Sequence, residues 1–184
     1  PVADAPAAVT TLLRTRDPLT RSSLVASTSA VQQVTVSDMY EYKVVRVKKV
    51  VDGDTTDFTV DTGFSNTHSF RCRYRGIDTP ECRTSDPLEK IQGKISKAYV
   101  KRRLKAAKTI MIQTHKDKKG KFGRMLGTIW LDDDELSLNE QMIEHNYAVR
   151  YFGQSKLDIE TEHLNNRERL KESGEYPVGS IELI

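Results

Sequence analysis

Residues 51–81 read VDGDTTDFTVDTGFSNTHSFRCRYRGIDTPE. The run Asp52-Gly53-Asp54-Thr55 opens this stretch, and Ile77-Asp78-Thr79-Pro80-Glu81 closes it. Between them Thr56, Phe58 and Val60 alternate with Asp57, Thr59 and Asp61, the period of a half-buried strand. Phe70, Cys72 and Tyr74 alternate in the same way with Arg71, Arg73 and Arg75. A polar connection containing Gly63, Ser65 and Asn66 joins the two runs. Pairing them as a hairpin carries Asp54 to Asp78. Two adjacent carboxylates repel and raise one another's pKa unless a cation lies between them. The stretch therefore predicts a hard-metal site with Glu81 beside it. Three arginines in a row on one face of a strand are costly unless anions or carboxylates meet them. Cys72 falls on the opposite, core-facing side, where it reads as a buried thiol.

On the N-terminal side, residues 42–51 (YKVVRVKKVV) are β-branched and basic and predict a strand. Residues 1–40 differ in texture: rich in Ala, Val, Ser and Thr, poor in aromatics, without sustained period. They predict an arm, disordered or used for docking, ahead of one domain over residues 41–184. On the C-terminal side, Pro80 ends the third strand and restrains Thr79 to an extended conformation. Residues 88–108 place Leu88, Ile91, Ile95, Tyr99, Leu104 and Ala107 at helical spacing. Residues 109–114 and 124–131 predict two further strands, joined by a turn-rich link over 116–123. Ser137-Leu138-Asn139-Glu140 is a capping box that opens a short helix with Leu138, Met142 and Ile143 inward. Residues 147–152 read as a short extended piece. A last, polar helix over 155–173 carries Ile159, Leu164 and Leu170 and ends at Gly174. Five strands and three helices predict an α+β fold, mainly β. Element order leaves a closed barrel and an open sheet both standing.

The 184 residues carry a net charge of only +3, but the charge is unevenly spread. Residues 90–124 hold 13 Lys/Arg and one acid, while residues 132–182 hold 13 acids and 5 Lys/Arg. The basic middle suits a polyanion, or is a solvated helix face balanced by the acidic third that follows. Two cysteines make no disulfide framework, and no run approaches transmembrane length, so no membrane partner is expected. No basic region followed by an apolar core is present at the N-terminus. The cytoplasm of a producing or infected cell is the expected location, with virion and extracellular space left open. His68, His115, His145 and His163 are scattered and show no zinc spacing, and each reads as an ordinary histidine.

The series Asp52-Gly53-Asp54-Thr55, Arg73, Ile77-Asp78-Thr79-Pro80-Glu81 and Lys121-Phe122-Gly123-Arg124 resembles the staphylococcal nuclease family in order and spacing. The resemblance covers roughly residues 42–172. Gly153-Gln154-Ser155-Lys156 and the run from His163 to Arg167 are further similar to phage-encoded members. The resemblance implies a five-stranded OB-fold barrel with three helices. It also implies a monomeric Ca²⁺-dependent nuclease acting on DNA and RNA and leaving 3′-phosphates. By motif, Asp54 and Asp78 are the calcium carboxylates, and Thr79 adds its backbone carbonyl. Glu81 activates the attacking water, and Arg73 and Arg124 bind the scissile phosphate. Lys121 and Phe122 take the places of a nucleotide-pocket lysine and tyrosine, Phe122 without the hydroxyl. Tyr151 lies near the family's stacking tyrosines. Arg71 and Arg75 read equally as a phosphate track or as solvated charges. A catalytically inactive nucleic-acid-binding or assembly module is the alternative.

Overall fold

A computed structural model describes residues 10–13, 25–28, 39–115 and 125–177. The chain divides into two units, Pro1–Ser37 and Asp38–Ile184. In the first, β1 (Thr10–Leu13) pairs antiparallel with β2 (Val25–Thr28), a ladder that the aperiodic composition of the arm does not announce. In the second, β3 (Met39–Asp52), β4 (Thr55–Gly63) and β5 (Asn66–Tyr74) follow one another as a meander. β6 (Ile77–Asp78), α1 (Pro87–Ala106), β7 (Ile110–His115) and β8 (Met125–Leu131) come next. α2 (Leu138–Glu144), β9 (Val149–Arg150) and α3 (Lys156–Glu172) complete it.

Five strands close into a barrel in the order β3-β4-β5-β8-β7. Counted along the barrel this is 1-2-3-5-4, the OB-type order, and the β5–β8 contact is its parallel seam. Closure rests on β3, whose first residues pair with β7 and whose later residues pair with β4. Register shifts between Val44 and Arg46, Val47 and Lys49, and Val50 and Asp52 bulge the strand. Each bulge adds local bend and twist, so one long strand can serve two neighbours. The closed barrel decides between the two architectures that element order left open.

The alternation of the central hairpin becomes its burial. Thr56, Phe58 and Val60 are buried, as are Cys72 and Tyr74 on the paired strand, while their arginine and aspartate neighbours face outward. Ile112, Ile129 and Leu131 fill the same interior from β7 and β8. Gly127 permits the parallel seam to close, because a Cβ there would stand 2.5 Å from the Cys72 sulfur. Burial pushes the Cys72 thiol up to about 12, so it stays protonated and unreactive.

α1 packs on β3 and starts at Asp86, whose side chain accepts from the Leu88 N–H. It buries Ile91, Tyr99, Val100 and Leu104, but also Gln92 and Ser96. Those two polar groups bond across elements: Gln92 Nε2 donates to the His163 carbonyl and Ser96 Oγ to the Tyr147 carbonyl. α2 carries the Ser137–Glu140 capping box. In α3 the predicted apolar face is only partly used. Ile159 and Leu170 are buried, whereas Leu164 is exposed and Asn166 and Arg167 are buried in its stead. Among the described residues no helix is long and apolar enough to cross a membrane.

Among the described residues Tyr74 is the largest fully buried side chain, and its hydroxyl meets Thr56 Oγ1 at 3.0 Å. Burial holds its pKa far above that of an exposed phenol. The folded chain then keeps a proton that the unfolded chain releases above about pH 10, so stability falls as pH rises past that value. Tyr74→Phe is expected to be about 1 kcal/mol less stable near neutrality for want of the hydrogen bond. The gap should narrow by about 1.4 kcal/mol per pH unit above about pH 10. Urea unfolding of both proteins from neutral to alkaline pH checks this, and a constant gap contradicts it.

Candidate active site

The barrel register sets Thr55 opposite Arg73, and the Tyr74 N–H donates to the Asp54 carbonyl at 2.8 Å. Asp54 thus leaves the start of β4 beside the end of β5. Asp78 lies on β6, just beyond the Gly76 turn, and β6 is pinned by pairing with β9. The two carboxylates meet at one group. Arg73 Nη1 lies 2.8 Å from Asp54 Oδ2, and Nη2 lies 2.6 Å from Asp78 Oδ1. Thr55 Oγ1 donates to the other Asp54 oxygen at 2.8 Å. His163 Nε2, from α3, lies 3.2 Å from the other Asp78 oxygen.

The electrostatics of the pair are unequal. Burial raises Asp54 to about 6, and Arg73 and the Thr55 hydroxyl offset this only in part. Burial also pushes Asp78 upward, but the His163 hydrogen bond and the Arg73 charge overcome it and hold the carboxyl below its ordinary value. Arg73 loses water too, yet Asp54 and Asp78 keep its pKa above the usual one. Glu81 is raised by burial and then by Asp52, Asp54 and Asp78. Four carboxylates therefore crowd a region where, among the described residues, Arg73 is the cation paired with both Asp54 and Asp78.

Glu81 follows Pro80 on a segment laid directly on α1. A Cβ at Gly93 would stand 2.6 Å from the Pro80 carbonyl oxygen and 2.8 Å from the Glu81 carbonyl carbon. Only a glycine in the helix lets the backbone approach so closely. Glu89, one turn earlier, accepts from the Glu81 N–H at 3.2 Å. Thr79 is buried, its side chain against Gly53.

Asp54, Arg73 and Glu81 line an open cleft of about 720 Å³ together with Asp52, Asp57 and Arg71. Asp78, Thr79 and His163 line a second cleft of about 650 Å³, and Glu81 and Arg83 border both. Arg71 is exposed and forks onto Asp57, with Nε to Oδ1 at 2.7 Å and Nη2 to Oδ2 at 2.9 Å. Those bonds hold Asp57 below the ordinary carboxylate range, with Lys49 and Lys48 adding to the effect. Arg75, the third arginine of the row, belongs to neither cleft and lies near enough to His115 to lower that imidazole's pKa, burial being the larger cause. Tyr151 is also outside both clefts; its N–H donates to the Gly76 carbonyl at 2.9 Å, next to an exposed Phe152. Tyr147 is core, tilted against Tyr99 at 4.4 Å between ring centroids. Lys121, Phe122 and Arg124 lie outside the described residues. His163 is the participant that sequence reading passes over, since 85 residues separate it from Asp78.

Among the described residues no three His, Cys, Asp or Glu side chains are grouped closely enough to hold a metal ion by themselves. The donors at hand are the carboxylates of Asp54 and Asp78, with Glu81 near enough to feel both charges. Carboxylate oxygens are the donor type that a hard divalent cation takes, with water completing its shell.

The family model described as "Staphylococcal nuclease homologue" matches residues 71–173, more than half of the chain. That segment begins at Arg71, so Asp54 lies ahead of it. An uncharacterised protein of Methanocaldococcus jannaschii is 28% identical over 155 residues, covering 74% of this chain and 72% of that protein. A thermonuclease of Staphylococcus intermedius is 33% identical over 90 residues, covering 48% of this chain and 49% of the thermonuclease.

The raised Asp54 carboxyl has a measurable consequence. Its folded value of about 6 exceeds the ordinary 3.8, so the folded chain holds a proton that the unfolded chain gives up. The stability this contributes is complete below about pH 4 and is lost as pH rises through about 6. Asp54→Asn, which cannot ionise, should therefore be more stable than the parent in chelator at pH 8, by on the order of 3 kcal/mol. The gain should vanish near pH 4. Urea unfolding at both pH values checks this, and a variant less stable than the parent at pH 8 contradicts it.

Proposed function

The chain belongs to the staphylococcal nuclease family, and we propose that it is a Ca²⁺-dependent nuclease that hydrolyses the phosphodiester bonds of DNA and RNA. The observation that carries the proposal is the single guanidinium of Arg73 bridging the carboxylates of Asp54 and Asp78, with Glu81 on the rim of the same cleft. Asp54 and Asp78 would hold the cation with the Thr79 carbonyl. When bound, the ion supplies charge neutralisation at the phosphoryl oxygens.

The protein's own groups perform the rest. Arg73 presents a planar fork suited to two phosphate oxygens, and it already stands where two acidic groups converge. Arg124 is proposed as the second fork. Losing one donor of this kind typically costs ~10²–10³ in rate. Glu81 takes the proton from the attacking water. Its raised pKa makes it a better base than an ordinary glutamate, and it stays in reach of solvent. Water's oxygen bonds to phosphorus as the bond to the 5′-oxygen breaks, leaving a 3′-phosphate and a 5′-oxygen that takes a proton from solvent to become a hydroxyl. Arg71, released from Asp57 by a competing phosphate, extends the basic side of the cleft.

Purified protein is expected to degrade plasmid, single-stranded DNA and RNA with Ca²⁺, and chelator should abolish this. Retained binding without cleavage in any divalent metal would instead favour a binding module. In the same assay Glu81→Gln should keep its nucleic-acid affinity while turnover falls by ~10²–10⁴. Unchanged turnover would remove Glu81 from the mechanism.

A further inference from the structure

A basic surface adjoins the acidic cleft. β3 and α1 enclose an open groove of about 600 Å³, with Val47, Val50 and Leu104 in its lining beside five lysines. The lysines are Lys48 and Lys49 from β3 and Lys97, Lys101 and Lys105 from α1, and no acidic side chain joins them in the lining. Lys48, Lys49, Lys101 and Lys105 are exposed. Among the described residues none of the five forms an ion pair.

Two local features build this concentration of charge. Successive strand residues ordinarily point to opposite faces. The register shift between Val47 and Lys49 breaks that rule, and both Lys48 and Lys49 line the groove. On α1, positions 97, 101 and 105 repeat every four residues, which sets them on one face about 6 Å apart along the axis. The result is a double bank of ammonium groups over an aliphatic floor.

The groove also connects with the cleft. Lys97 Nζ donates to the Val51 carbonyl at 2.8 Å, and Val51 lines the cleft. Lys49 stands in register with Asp57, the cleft residue that Arg71 grips. Asp57, gripped by Arg71 and within electrostatic reach of Lys49 and Lys48, links the cleft's arginines to the groove's lysines.

We infer that the β3–α1 groove binds the phosphate backbone of a single-stranded nucleic acid several nucleotides from the bond held at Arg73. Lysine is a point charge on a flexible stem and reads no base, so the track is indifferent to sequence. The choice of nucleic acid as the polyanion rests on the nuclease reading of the cleft, with which the groove is continuous.

The test compares the parent chain with Lys48→Gln/Lys101→Gln/Lys105→Gln. Lys97 is left in place because it holds the Val51 carbonyl. Anisotropy of a labelled strand of about thirty nucleotides is followed in chelator from 50 to 200 mM salt. Three single-strand phosphate contacts at about 0.7 each make the salt slope of the parent steeper by about 2, so across that range it loses ~20-fold more affinity than the variant. Lys→Arg at the same three positions should restore the slope, separating charge from packing. Hydrolysis of a trinucleotide in Ca²⁺ is the control and should be the same in all three proteins. Equal slopes for parent and glutamine variant overturn the inference, as does a parent that does not bind the long strand. Loss of phosphatidylserine-vesicle binding in the variant with the strand affinity intact assigns the groove to an anionic membrane and also overturns it. If the parent fails on the trinucleotide while the slopes differ, the nuclease reading falls and the groove stands.

Discussion

The contact between one arginine and two aspartates, one from the β3–β4 turn and one from β6, governs this site. Removing a carboxylate from water costs several kcal/mol, and a partner ion must offset that cost. Arg73 is shared between Asp54 and Asp78, so it satisfies neither fully. Burial still pushes Asp54 up to about 6, whereas Asp78 has His163 as a second partner and is held below its ordinary value. The unequal titration of two neighbouring carboxylates follows when, among the described residues, one guanidinium is shared between both.

The scaffold is arranged to hold that imbalance still. The barrel fixes Asp54 and Arg73 through β4–β5 pairing, and the short β6–β9 ladder fixes Asp78. The helices then lock the periphery with buried polar contacts. Gln92 takes the Arg167 Nε–H and gives its own amide proton to the His163 carbonyl, which ties α1 to α3 behind His163. Ser96 ties α1 to Tyr147, ahead of β9. Gly93 seats the Pro80–Glu81 backbone against α1. Such hydrogen-bonded buried groups favour one arrangement, which a site reliant on sub-ångström positioning requires.

Much of this was visible in the sequence, and what was not has a physical reason. Alternation in residues 56–60 and 70–74 reports the hairpin, since burial on one face imposes the period directly. The hairpin in turn carries Asp54 and Asp78 to the same arginine. The Ser137–Glu140 box marks α2 because capping is local chemistry. Barrel closure was open, because it depends on bulges in β3 that leave no pattern in a basic, β-branched run. His163 meeting Asp78, and Arg167 buried on Gln92, are tertiary polar pairs 85 and 75 residues apart, and nothing in their neighbours signals them. The arginine row read as one unit but divides into three: Arg71 on Asp57, Arg73 on the aspartate pair, Arg75 toward His115. Leu164, placed in the core by helical spacing, is 48% exposed at the second cleft, where α3 turns polar residues inward.

The most direct measurement is a crystal structure of the protein with Ca²⁺ and a nucleoside bisphosphate. The account predicts the ion between Asp54 and Asp78 with the Thr79 carbonyl among its ligands, and Arg73 moved from the aspartates onto a phosphate. An ion bound elsewhere, or Arg73 still bridging both carboxylates with the nucleotide in place, contradicts it.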